Sequence, residues 1–343
     1  MRSHLVSLMT SFVEKKRLGK EPFEHDPETG VLVLVALSGG PDSLALAAAT
    51  AFEAARADVR AGAVIVDHGL QDGSADAAAT AARQAREFGL DPVVVVKVEV
   101  GAEGGPEAAA RAARYEALAA TATELGAAAV FLGHTLNDQA ETVLLGLARG
   151  SGASSLHGMA AESGIYRRPL LQLSRETIEQ FCQDSGLEPW HDPQNDDHRF
   201  ARVRVRQTIL PMLEQGLGPG IVEALARTAD QLREDDEALD HFAEEIAEDL
   251  AVIVEAGVAL PVKALAANPA ALRQRLIRLA VASEFHVSLS RERTLEVARL
   301  VTDWHGQGPI DLPGVRVERR DGLIVFTATD VGELTGVDPI LEH

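Results

Sequence analysis

Residues 31–50 read VLVLVALSGGPDSLALAAAT. The aliphatic run Val31 to Leu37 is unbroken, and an alanine-rich stretch begins only a few residues later. A run of this kind suits a strand buried on both faces, and the alanines suit a helix. Between them stands SGGPDS, Ser38 to Ser43, which puts two glycines where the backbone must turn sharply and approach a ligand closely. Ser38, Gly39, Gly40 and Ser43 offer N–H and O–H donors at a helix N-terminus, with Pro41 at an early helical position, which is an anion-binding nest. The plainer reading is a strand-to-helix connection capped by Asp42 or Ser43. No lysine follows the glycines, so this is not the G-x-x-x-x-G-K-S/T loop, and no G-x-G-x-x-G fingerprint is present here. A carboxylate inside a phosphate nest repels its ligand unless a cation lies between them. Asp42 is therefore expected to hold Mg²⁺.

Outward from this stretch, Gly62 to Asp67, Val93 to Val98 and Ala128 to Leu132 repeat the short valine-rich pattern. Helical periodicity fills residues 43–57, 75–88 and 107–125. The alternation predicts an α/β fold with a doubly wound, mostly parallel sheet, whose ligands sit beyond the carboxyl ends of the strands. EQGLGPG, residues 214–220, reads as a linker. It bounds an expected catalytic domain, 1–215, from a small helical domain, 216–305, with helices over Ile221 to Glu255, Val262 to Glu284 and Leu289 to Trp304. Residues 306–343 are expected to form a β-hairpin around Asp321-Gly322 and a tail, packed on the helical domain.

Of 343 residues, 46% are hydrophobic and 24% charged, a globular composition that argues against wholesale disorder. The single Cys182 excludes a disulfide framework and an all-cysteine metal site, and suits a reducing cytosol. The N-terminal segment lacks an apolar signal core, and the longest aliphatic run is too short to span a bilayer, so a cytoplasmic protein with no membrane partner is expected. The formal net charge of −20 opposes nucleic-acid binding on average, but screening over a Debye length of about 8 Å lets a local basic strip bind a polyanion.

The second informative string is FLGHTLNDQAETVLLGLARGSG, residues 131–152. His134, Asp138 and Glu141 fall at i, i+4 and i+7, along one face of a helix that includes all three. Thr135-x-x-Asp138 equally fits a capping box. The place after the fourth strand, at the carboxyl edge of the sheet opposite the phosphate loop, favours a site.

These strings carry a resemblance. SGGPDS after a strand resembles the PP-loop of the N-type ATP pyrophosphatases, which have the adenine nucleotide alpha hydrolase-like fold and split ATP into AMP and pyrophosphate while adenylating a carbonyl oxygen. More narrowly, the chain resembles the tRNA(Ile)-lysidine synthase family. Matching segments are Val66-Asp67-His68-Gly69-Leu70, Glu107 to Tyr115, Gly133 to Thr142, Arg149 to Gly152, Leu156 to Met159, Arg168 to Leu171, and Asn195 to Pro211, covering roughly the first 215 residues. The chain departs from the family pattern at Thr135, where many members have histidine, at Gln71, where arginine is frequent, and at Val203 and Val205.

The resemblance implies that ATP adenylates the C2 oxygen of the wobble cytidine in the CAU anticodon of an isoleucine tRNA, and that the ε-amine of free L-lysine then displaces AMP. Ser38, Gly39, Gly40, Pro41, Asp42 and Ser43 would bind ATP. Asp42, His134, Asp138 and Glu141 would be catalytic, and the last two would also bind lysine. An amine with a pKa near 10.4 costs about 4–5 kcal/mol to deprotonate at neutral pH, so a nearby carboxylate or histidine is needed. Which group takes the proton stays open, and His134 is read either as an α-phosphate contact or as a structural histidine. Arg111, Arg114, Arg149, Arg202, Arg204 and Arg206 are expected to meet tRNA or substrate phosphate. In the extended form Arg202, Arg204 and Arg206 share a face, whereas a helix fans them apart. Arg273, Arg275 and Arg278 form a second candidate strip, and Arg316, Arg319 and Arg320 a third. A tRNA thiolase is the nearest rival, poorly served by one cysteine; an amidotransferase-type enzyme lacks a visible glutaminase, and a non-catalytic tRNA-binding protein would not need the intact carboxylates. The oligomeric state is open, a homodimer included.

Overall fold

A computed structural model describes residues 2–17, 30–69, 73–101, 106–150 and 153–329. Leu70, Gln71, Ser151, Gly152 and the tail from 330 onward lie outside the described residues. The chain divides into two compact units, Met1–Ser151 with Ser155–Asp230, and Gly152–Ser154 with Gln231–His343.

The first unit is built on α1 (Arg2–Arg17), β1 (Val31–Ala36), α2 (Pro41–Ala57), β2 (Val59–Asp67), α3 (Ser74–Glu87), β3 (Val93–Lys97), α4 (Pro106–Glu124), β4 (Ala129–Phe131) and α5 (Leu136–Ala148). After a short turn, α6 (Ala153–Leu156), come β5 (Glu162–Ser163), β6 (Tyr166–Arg167), α7 (Arg175–Asp184), α8 (Ala201–Arg204) and α9 (Leu210–Leu217). The sheet order is β3-β2-β1-β4-β6-β5, parallel except for the β5–β6 pair. Strand order reverses beside β1, because β2 pairs on one side of it and β4 on the other. That is the switch point at which a doubly wound sheet opens a crevice.

Strand β1 explains why the run it came from is unbroken. Val31, Val33 and Val35 face a core shared with Leu5 and Met9 of α1, Leu44 and Leu46 of α2, Ala81 of α3 and Ile178 of α7. Leu32, Leu34 and Ala36 face the opposite core, with Leu118 and Ala122 of α4. Both faces are covered, so period-two alternation is satisfied without a polar residue. Small alanine side chains on α2 and α3 let those helices lie close to the sheet.

The second unit holds α10 (Ile221–Leu250) from Gln231 onward, β7 (Val252–Val254), β8 (Gly257–Pro261), α11 (Val262–Ala267), α12 (Ala270–Phe285), α13 (Arg291–Thr302), β9 (Ile310–Leu312), β10 (Val315–Arg320) and β11 (Leu323–Ala328). The unit boundary, Asp230/Gln231, falls within α10. The expected hairpin around Asp321-Gly322 is present as β10–β11, and it belongs to a five-stranded antiparallel sheet, β7-β8-β11-β10-β9. The helical reading through Glu255 overran. β-Branched Val252, Ile253 and Val254 leave the helix and pair with Ala259, Val258 and Gly257. Phe326, Ile324, Val317 and Val315 close this sheet against Leu276, Ile277 and Val297 of the helices.

Leu34 is fully buried at the centre of β1. Leu34→Ala is expected to cost about 2–5 kcal/mol of first-unit stability, visible as a lower urea midpoint with unchanged slope. A change below ~1 kcal/mol would contradict this account of the core.

Candidate active site

The loop after β1 is held by its own polar groups. Ser38 N–H donates to Ser43 Oγ at 3.1 Å, the two hydroxyls lie 3.1 Å apart, and Ser43 Oγ donates to Gly40 O at 3.1 Å. Gly39 takes φ +86, a region that L side chains avoid, and its carbonyl accepts from Trp190 N–H at 2.9 Å. The helical ladder of α2 starts with Leu44 N–H to Gly40 O at 2.9 Å. Among the described residues, the amides of Gly39, Gly40, Asp42 and Ser43 make no such bond, so they remain at the positive end of the helix for an anion. The Ser38 amide and the Ser43 hydroxyl are already engaged within the loop.

A second close approach joins this loop to β4. A Cβ on Gly133 would lie 3.1 Å from Asp42 C, Asp42 O and Ser43 N. The missing side chain lets the carboxyl end of β4 touch the first turn of α2, and it brings His134 and α5 beside the loop. The helix begins at Leu136, so His134 precedes it instead of sharing its face with Asp138 and Glu141. Thr135 caps α5 and forms the capping box: Asp138 Oδ2 accepts from Thr135 N–H at 2.8 Å and Thr135 Oγ1 at 2.9 Å. The cap and the site readings of this string are thus compatible. One oxygen of Asp138 caps the helix and the other is turned away from the cap.

That other oxygen meets three guanidiniums. Asp138 Oδ1 lies 3.4 Å from Arg175 Nη2, 3.3 Å from Arg202 Nη2 and 3.3 Å from Arg206 Nη2. Glu141 is 0% exposed, and its oxygens accept from Arg202 Nε and Arg206 Nε, each at 2.7 Å. Arg202 and Arg206 share a face because the segment is helical, α8 continuing through a π-turn at Val205–Ile209 into α9. Arg204 points elsewhere, to the carbonyls of His198 and Arg199 at 2.7 and 2.8 Å. Arg175 joins this cluster from α7. Its only sequence sign is its place after Ser174, the N-cap of α7.

Electrostatics separate the carboxylates. Burial, and then the charge of Asp138, push the Asp42 carboxyl up to about 6. Burial works the same way on Asp138, but Arg202, Arg175 and the Thr135 amide overcome it and hold that carboxyl below the usual range. Burial drives His134 down to about 3, so its imidazole is neutral at neutral pH, and its Nδ1 is buried without a hydrogen-bond partner. Asp42 Oδ1 is likewise buried and unpartnered. Among the described residues no three His, Cys, Asp or Glu side chains form a metal cage. An orphaned carboxylate oxygen raised by a second carboxylate fits Mg²⁺ all the same, because that ion takes one or two carboxylates and completes its shell with water and phosphate.

Beside the loop, a cleft over the carboxyl ends of β1 and β2 is lined by Ser38, Val66, Asp67, His68, Arg114 and Trp190. Burial lowers the pKa of Arg114, which makes no hydrogen bond or ion pair among the described residues. It is a half-buried cation that lines the cleft. Arg111 instead stacks on Tyr115 at 4.8 Å, and Arg149 ends α5 on the surface. In the second unit, Arg275 is tied to Asp236 and to Asp240, Arg273 to the carbonyls of Leu265 and Asn268, and Arg319 to Leu300 O beside Trp304. Arg320 pairs with Glu318 at 3.1 Å and Arg316 approaches Asp311 at 3.9 Å, which leaves Arg278 as the unpaired member of those two strips among the described residues.

A PP-loop domain family matches residues 13–213, and the TilS substrate binding domain matches residues 260–324. A tRNA(Ile)-lysidine synthase of Leifsonia xyli subsp. xyli is 63% identical over 303 residues, covering 88% of this chain and 91% of that protein. The chain belongs to the tRNA(Ile)-lysidine synthase family. A tRNA(Ile)-lysidine synthase of Thermobifida fusca is 54% identical over 307 residues, covering 89% of this chain and 94% of that protein. Among solved structures, the U34-tRNA thiolase NcsA from Methanococcus maripaludis, with its 4Fe–4S cluster, superposes with a TM-score of 0.52 at 19% identity over 68% of this chain and 81% of that one. That likeness concerns the fold, an α/β sheet shared across PP-loop proteins. No helix among the described residues is long and apolar enough to cross a membrane.

The Asp42 shift has a definite sign. A carboxyl at about 6 in the folded chain binds its proton more tightly than the unfolded chain, so stability falls as pH rises from about 4 to 6 and stays lowered above. Without divalent cations, Asp42→Asn is expected to stabilise the protein at pH 7 by on the order of 2 kcal/mol, with the gain gone below about pH 4. A melting series showing no gain at pH 7 would contradict the burial described for this carboxylate.

Proposed function

We propose that the protein ligates free L-lysine to C2 of the wobble cytidine in the CAU anticodon of tRNA(Ile), consuming ATP and releasing AMP and pyrophosphate. The observation that carries this reading is the approach of Gly133 to Asp42 and Ser43, which sets an anion nest beside a buried acidic pair within one unit. Family membership supports both the reaction and the use of ATP.

In the first step the C2 oxygen of cytidine attacks the α-phosphorus and the bond to pyrophosphate breaks. The free amides of Gly39, Gly40, Asp42 and Ser43 take the negative charge of the departing pyrophosphate, and the cleft lined by Val66 and Trp190 suits the nucleoside. Asp42 would hold Mg²⁺, which would supply charge neutralisation for the phosphates. Arg114 stands free to meet the α-phosphoryl group. Adenylation turns a poor leaving group, the C2 oxygen, into a good one, AMP. In the second step the lysine ε-amine forms the C2–N bond, AMP leaves with that oxygen, and the proton released by the amine passes to solvent. Asp138 and Glu141 offer the negative charge that the α-ammonium requires. His134, neutral and with an unpartnered Nδ1, can exchange a hydrogen bond with substrate. The protein is read as cytoplasmic, in line with tRNA as substrate.

Incubation with isoleucine tRNA bearing CAU, ATP, Mg²⁺ and radiolabelled lysine is expected to give one AMP and one pyrophosphate per lysine incorporated, and no sulfur incorporation. Asp138→Asn is expected to lower incorporation by at least about 100-fold, because the α-ammonium loses one of its two counter-charges. Wild-type rates in that variant would remove Asp138 from the lysine site.

A further inference from the structure

The acidic pair has no acceptor to spare. A carboxylate offers about four lone-pair positions. Glu141 Oε1 takes Arg206 Nε at 2.7 Å and Arg175 Nη1 at 3.5 Å, while Oε2 takes Arg202 Nε at 2.7 Å and Arg206 Nη2 at 3.1 Å. Asp138 Oδ2 is filled by Thr135, and Oδ1 by three guanidiniums. An incoming ammonium can reach these carboxylates only when one arginine withdraws. Arg202 and Arg206 each hold Glu141 through a 2.7 Å bond, whereas both contacts of Arg175 are long, 3.4 and 3.5 Å. Arg175 is therefore the first to give way.

A guanidinium turned off a buried acid pair is costly unless it meets another anion. An α-amino acid carries that anion beside its ammonium. We propose that Arg175 binds the α-carboxylate of the substrate lysine, exchanging its loose contacts with Asp138 and Glu141 for a bidentate pair as the α-ammonium takes its place. The exchange keeps every charge paired, and a planar guanidinium suits a carboxylate. The Arg175 amide donates to Asn137 Oδ1 at 2.9 Å, next to Asp138 in sequence, so the backbone stays anchored at the acidic pair while the side chain moves. Its side chain is 18% exposed, less than the 29% and 27% of Arg202 and Arg206, so it is the length of its contacts that sets it apart. Arg175 thereby becomes the residue that selects an amino acid over a simple diamine. This inference rests on the lysine-ligating function proposed above.

The test compares lysine with lysinamide and cadaverine, which lack the carboxylate charge, in competition for incorporation on isoleucine tRNA with ATP. Wild-type protein is expected to prefer lysine by about 10- to 100-fold, the worth of a charge-assisted pair. Arg175→Ala is expected to lose that preference by weakening lysine while leaving the two analogues within threefold, and Arg175→Lys to recover part of it. An equal loss for all three ligands would make Arg175 structural only and overturn the inference, as would an unchanged preference in Arg175→Ala. Wild-type protein that transfers no lysine would overturn the proposed function and this inference together, whereas active wild type with an unchanged ratio overturns the inference alone.

Discussion

The burial of Glu141 constrains everything around it. A fully enclosed carboxylate must be neutralised or paired, and here the charge is met by Arg202 and Arg206 at 2.7 Å each. To reach it, the segment from Ala201 to Leu217 must fold back onto α5 as a helix, which Ala140, Val205 and Leu210 seal with apolar contact. Removing Glu141 would leave Arg202 and Arg206 with Asp138 alone as their shared anion, and removing either arginine would leave Glu141 with one partner at 2.7 Å. The acidic pair is thus a structural joint as well as the proposed place for lysine. Its occupancy by arginine in the free chain is the ground for proposing ligand exchange instead of simple filling.

The phosphate loop works by the opposite logic. Its hydroxyls are satisfied within the loop, Ser38 with Ser43 and Ser43 with the Gly40 carbonyl, and among the described residues the amides of Gly39, Gly40, Asp42 and Ser43 are left unpaired. A rigid turn with free amides costs little reorganisation when pyrophosphate forms. Asp42 is the exception within it, a carboxylate whose buried oxygen has no partner and whose charge is disfavoured by Asp138. Both features are relieved by a cation, so the loop is complete only with its ligand.

Much of this was legible in the sequence because it is local. Val31 to Leu37 is apolar on both faces, and the strand is covered on both faces. SGGPDS declares its turn through Gly39 and its helix start through Pro41. The second unit was read less well. Val252 to Val254 becomes a strand only because Gly257 to Ala259 returns to pair with it, a contact that helical periodicity upstream conceals. Arg202 and Arg206 showed as positive charge in an acidic chain, but the helix turns them inward to Glu141, 61 and 65 residues away in sequence. Arg175 carried no signal beyond following a capping serine, since its partners lie on another helix.

The most direct measurement is backbone hydrogen exchange on the whole chain with ATP and Mg²⁺, then with lysine added. The account predicts slowed exchange over residues 38–44 with nucleotide, and further slowing over 134–142 and 175–178 with lysine. Lysine-dependent protection confined to the second unit, or nucleotide protection that spares residues 38–44, would contradict it.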